Sequence, residues 1–132
     1  MGKSTCARGL AQEALAREQQ DYEQAKGRYH ESLTIYQRLG NATYTAWCLE
    51  GIAAVVCAEG SYERATRLAA AAAALRSAAH TPLPPTEQED FDKVVMSAGA
   101  ELDERVFTEQ WDIGSTLAQD DAISYALIGL PK

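Results

Sequence analysis

Apolar residues recur every three or four positions through most of the chain, the spacing of helices that bury one stripe. From Tyr22 the stripe runs through Ala25, Tyr29, Leu33, Tyr36 and Leu39. It predicts a helix capped by Asp21, weakened by Gly27 and stopped by Gly40-Asn41. A separate helix is predicted before it, from Thr5 to Gln19, with Ser4 or Thr5 as cap. Trp47, Leu49, Ile52, Ala53 and Val56 predict a third over 43–59. Gly60 then ends that helix and Ser61 caps a fourth over 62–79, in which Leu68 and Leu75 flank the run Ala69 to Ala74.

The segment His80-Thr81-Pro82-Leu83-Pro84-Pro85 breaks the pattern, because proline removes donors and steers its predecessor away from helix. Thr86 and Glu89 have the spacing of a capping box for a fifth helix that holds Phe91, Val94, Val95 and Ala98 and ends near 99–102. A shorter helix over 104–112 follows, with Asp103 as cap and Val106, Phe107 and Trp111 as apolar anchors. Gly114-Ser115-Thr116 reads as a break, and Thr116 with Gln119 as a second capping box for a last helix over 117–127. The expected fold is all-α: two antiparallel helix pairs in residues 1–80 and a three-helix capping segment in 81–132, joined as one continuous domain.

Asp21-Tyr22-Glu23-Gln24-Ala25 recurs as Ser61-Tyr62-Glu63-Arg64-Ala65, with 40 residues between Tyr22 and Tyr62. A period of this size marks stacked helix pairs. Alanine fills 24 of the 132 positions, which favours helices that approach closely.

Charge divides the chain. Residues 1–80 hold nine basic and eight acidic side chains, whereas residues 81–132 hold three and eleven. The acidic second part disfavours nucleic acid and anionic membrane as partners. The longest purely apolar stretch, Leu68 to Leu75, is far short of the roughly 20 residues of a membrane helix. With three cysteines, an odd number, no disulfide framework is expected, and the setting expected is cytoplasmic.

No catalytic or metal site is expected. Cys48 and Cys57 stand nine residues apart, on opposite faces of one helix at roughly 100° per residue. No CxxC or HExxH occurs. Glu87, Glu89, Asp90 and Asp92 crowd the start of the fifth helix, where the helix dipole favours negative charge. The binding candidates are Arg8 and four aromatic residues. Tyr29, Tyr36, Tyr44 and Trp47 fall in the repeat half, and such side chains bury area while keeping a polar handle. Arg8, Arg17, Arg28, Arg38, Arg64 and Arg67 add positive charge there for an acidic ligand or the acidic half of another copy. No cofactor is expected.

Gly60, Tyr62 and Ala65, with Ile52 and Ala53 before them, resemble the turn and the paired large and small positions of a tetratricopeptide repeat in its longer form. Tyr22 and Ala25 stand at the matching places of an earlier copy, which departs from the pattern at Gln20, Gln12 and Glu13. On a wider scale the chain resembles the C-terminal end of bacterial LuxR-type and related ATPase-containing transcription regulators. The likeness lies in residues 46–53, 68–76, 82–85, 107–111 and 121–127. It implies a transcription-regulatory arm that binds protein partners or small effectors. The chain lacks a glycine-rich phosphate loop and a basic helix-turn-helix. The expected function is therefore a non-catalytic regulatory or scaffolding module that binds a protein segment or small effector. A homo-oligomeric structural protein, and a small-molecule-binding protein or enzyme of secondary metabolism, are the alternatives.

Overall fold

A computed structural model describes the backbone of residues 2–128 and 130, and the side chains of residues 21–128 and 130. It is all-helical: α1 (Gly2–Leu39), α2 (Ala42–Ala58), α3 (Tyr62–Ala79), α4 (Pro85–Glu101), α5 (Glu104–Ser115) and α6 (Gln119–Leu127). No described helix is long and apolar enough to cross a membrane.

The expected turn at Gln20-Asp21 is absent, and α1 is one helix of 38 residues. Residues 16–26 contain neither glycine nor proline, and nearly all are good helix formers, so nothing local enforces a turn. Asp21 therefore caps nothing. Tyr22 lies in the middle of α1, whereas Tyr62 opens α3. Ala25 is half-buried, whereas Ala65 is fully buried. The two copies of the repeated pentapeptide thus occupy different settings, and the first of the two expected helix pairs is replaced by a single rod.

The remaining punctuation acts as predicted at two places. Gly40 takes φ +68°, and Asn41 caps α2 by accepting the Tyr44 amide at 3.0 Å. Gly60 takes φ +91° and turns the chain between α2 and α3. These two helices run antiparallel: Thr43 near the start of α2 bonds Thr81 just past α3, and Glu50 pairs with Arg76. Lys26 of α1 binds Glu59 at the turn and Glu23 on its own helix, at 3.0 and 2.8 Å.

Other caps differ from expectation. Ser61 and Asp103 occupy N-cap positions without a side-chain bond. Neither capping box forms. Pro85, with φ preset for a first helical residue, starts α4 itself, so Thr86 is already inside. Thr116 turns its hydroxyl back onto the Ile113 and Asp112 carbonyls of α5, and α6 begins only at Gln119.

The core centres on α3, which packs on α2, α4, α5 and α6. Ala65, Leu68, Ala69, Ala71 and Ala72 are buried there in one cluster with Leu49, Ile52, Ala53 and Val56 of α2 and Ala122, Ile123 and Ala126 of α6, and Ala70 is buried beside Gly114 of α5. Gly114 does not break α5. It lies buried inside that helix, where an added Cβ would sit 2.1 Å from the Arg67 carbonyl oxygen. The glycine lets α5 lie directly on the α3 backbone.

Two arginines of α3 bind neutral groups of the C-terminal part. Arg64 donates to the Ala126 carbonyl at 2.9 Å and to that of Ile128 at the end of α6. Arg64 and Arg67 lie 5.3 and 4.8 Å from the Tyr125 ring centroid, and Arg67 also bonds Gln110. These two cations, expected to be available to an acidic ligand or a second copy, hold α5 and α6 onto α3 instead.

Candidate functional site

Tyr29 and Tyr36 are seven residues apart on α1, and Tyr44 and Trp47 three apart on α2, so each pair shares a helix face. The two faces meet. Tyr29 and Trp47 pack edge to face with centroids 5.8 Å apart, and Tyr36 stacks on Tyr44 at 4.9 Å. Half of Trp47 and half of Tyr44 nevertheless remain exposed (49% and 51%), much more than packing between two helices requires. Gly51 explains how Tyr29 reaches this position. Its missing side chain leaves room for the Tyr29 hydroxyl, which would lie 2.1 Å from a Cβ there.

Three shallow clefts open around these rings, and one more adjoins them. The main one, of about 230 Å³, is lined by Tyr29, Trp47, Gly51, Ala53 and Ala54 on one side and by Leu83, Phe91 and Val94 on the other, with Glu50, Glu87 and Asp90 as its charged groups. A second, of about 380 Å³, shares Glu50, Leu83 and Phe91 with it and extends to Arg76, His80 and Pro82. A third (about 220 Å³) adds Ala25, Arg28 and Ser32, and a fourth (about 240 Å³) adds Tyr36, Thr43 and Tyr44. Trp47 borders the first, third and fourth. Together they form one groove across α2, between α1 and α4.

Its floor is fixed by an ion pair. Arg76 of α3 binds both oxygens of Glu50 on α2, and its Nη1 donates to the Thr81 carbonyl at 2.9 Å. Both side chains are only 12% exposed. One bidentate contact therefore ties α2, α3 and the proline loop together.

Four of the five residues singled out from the sequence, Tyr29, Tyr36, Tyr44 and Trp47, thus come together. Arg8 lies outside the residues whose side chains are described. Of the repeat positions, Ile52, Ala53 and Ala65 are buried, Gly60 makes its turn, Tyr62 packs on the core, and Tyr22 is half-buried in α1. Sequence reasoning missed the opposite wall. Leu83 is held in a loop by three prolines, a signal that was present. In the sequence Phe91 and Val94 signal only helix anchors, and the acidic residues only partners of the helix dipole. Gly51 carried no signal by itself.

Cys48 and Cys57 do not line the groove, and both are buried. Burial pushes the Cys48 thiol up to about 11, and the Cys57 thiol in the same direction. A thiolate is the reactive form, so both are chemically quiet. In the folded chain they are expected to resist iodoacetamide, with peptide mapping showing modification only as fast as the chain unfolds. The raised value also sets a pH dependence. Stability from the neutral Cys48 thiol is fully present below its ordinary pKa of 9.0 and is lost as pH rises towards about 11, because the unfolded chain ionises first. Urea midpoints of Cys48→Ala should fall less over that range than those of the parent; equal slopes would contradict the assignment.

Among the described residues, no group of three or more His, Cys, Asp or Glu is placed to hold a metal ion, and no buried side-chain nitrogen or oxygen lacks a hydrogen-bond partner. Comparison with known proteins finds no family model, no curated protein and no solved structure that matches the chain.

Proposed function

We propose that this chain is a non-catalytic docking module whose groove holds a segment of a partner protein. The observation that carries the reading is the row of four adjoining clefts, three of which share Trp47. Sites for small molecules are concave cavities of about 300–1,000 Å³ that enclose most of the ligand. The clefts here are open, and three of the four are below that range. Each has room for about one large side chain, which suits a chain segment that sets several side chains in a row. Half-exposed tryptophan and tyrosine on a rigid helix are the residue types that dominate binding energy at protein interfaces.

The sequence likeness supports the same reading. In the α2–α3 pair, Ile52-Ala53 and Gly60, Tyr62 and Ala65 resemble the matching positions of a tetratricopeptide-type hairpin. In the LuxR-type regulators that the chain resembles, such hairpins form the arm that engages partners. On this reading the chain does regulatory work by contact alone.

The test is selection from a random peptide display library on the full chain, followed by calorimetric titration of the enriched peptides. Trp47→Ala should weaken them by about 2 kcal/mol or more, roughly thirtyfold. Its circular dichroism and urea midpoint should stay close to the parent's, because half of the ring is already in water. Tyr44→Ala, at the neighbouring cleft, provides a second readout should Trp47→Ala lose structure. Failure to enrich any peptide, or enriched peptides that ignore both substitutions, would refute the docking role.

A further inference from the structure

The groove is chemically uneven, and the unevenness names a feature of its occupant. Three carboxylates border the main cleft, those of Glu50, Glu87 and Asp90, and no lysine, arginine or histidine does. Glu50 is already neutralised by Arg76 on the floor. Glu87 and Asp90 are exposed, and among the described residues neither forms an ion pair. Three residues apart on α4, they share a face.

The helix dipole accounts for Glu87, which lies in the first turn of α4, but its influence fades beyond that turn, before Asp90. The neighbouring acids behave differently. Glu89 and Asp92 lie off the cleft lining, and Asp92 accepts a hydrogen bond from Gln88. Glu87 and Asp90 are therefore the carboxylates that face the cleft with no cation of the described residues beside them.

We propose that the main cleft receives a lysine or arginine side chain of the docked segment, with its charge between Glu87 and Asp90 and its stem against Trp47 and Tyr29. A purely apolar occupant would cover two carboxylates without giving them a partner, which costs free energy. An acidic occupant would meet like charge. A long basic side chain fits both halves of the site, since its methylenes pack on apolar surface while its head stays polar. Aromatic rings beside that head add cation–π attraction.

This inference rests on the docking role proposed above, and one set of measurements separates the two. Peptides enriched on the full chain from the random display library are sequenced, synthesised and titrated against the parent, Trp47→Ala and the double variant Glu87→Gln/Asp90→Asn. The expected result is a lysine or arginine at a constant offset from an apolar residue. Affinity should then fall about tenfold in the double variant, and added salt should weaken binding to the parent more than to that variant. Peptides that need Trp47 but lack a basic residue, or that bind the double variant as well as the parent, would leave the docking role standing and overturn the basic side chain. Peptides indifferent to Trp47, or none at all, would overturn both.

Discussion

Replacing Gly114 by alanine is expected to cost about 3 kcal/mol of stability, even though alanine favours helix by about 1 kcal/mol over glycine. The added methyl would meet the Arg67 carbonyl oxygen at 2.1 Å and the Ala70 Cβ at 2.9 Å. Both are fixed to the α3 backbone, so neither can swing aside as the end of a long side chain does. Relief requires α5 to move off α3, which opens the contact that Arg67 and Gln110 also hold. The urea midpoint should fall with little change in slope. Gly99 in α4 provides the control. An added Cβ there would approach Phe107 no closer than 3.6 Å, an ordinary contact. Gly99→Ala should therefore stabilise the chain by up to about 1 kcal/mol. Equal midpoints for the two variants would show that α5 does not sit this close to α3.

The second large effect is expected at the groove floor. Glu50→Ala should cost about 3 kcal/mol, because it leaves the Arg76 guanidinium nearly enclosed with only the Thr81 carbonyl as partner. Arg76→Ala should cost a similar amount by stranding Glu50. Replacing both together, Glu50→Leu with Arg76→Met, should cost much less than the sum, since most of the single penalty is an unpaired charge rather than a lost attraction. A double-mutant cycle of Glu50→Leu, Arg76→Met and the two together measures the coupling. Additivity within about 0.5 kcal/mol would mean that the two groups do not act as a pair.

What could be read in the sequence follows from how local each signal is. The bounds of α2 and α3 were legible because Gly40-Asn41 and Gly60 act on the residues next to them, and the prolines after His80 do the same. The repeated pentapeptide misled for the converse reason. Three identical residues in five fix which side chains share a face, but they do not make a turn, and residues 16–21 have no glycine or proline that would. The capping boxes failed through competition: Pro85 took the first helical place, and the Thr116 hydroxyl found carbonyls behind it.

The groove was half legible. Aromatic enrichment in α1 and α2 pointed to one wall. The other wall comes from the proline loop and α4, far along the chain, and is brought there by packing on α3. No local pattern reports that meeting. Nor does any reveal that Gly51 makes way for Tyr29, or that Arg64 and Arg67 are used to hold the last helices.

The alanines buried along α3 have a consequence for how the groove would respond to a guest. Alanine has no side-chain torsion to freeze, so these buried positions surrender no rotameric freedom when the chain folds, and have none left to surrender later. Ordering on capture then falls to a few rim groups, chiefly the indole of Trp47 and the carboxylates of α4. The backbone beneath them should respond as a stiff anvil rather than a closing hand.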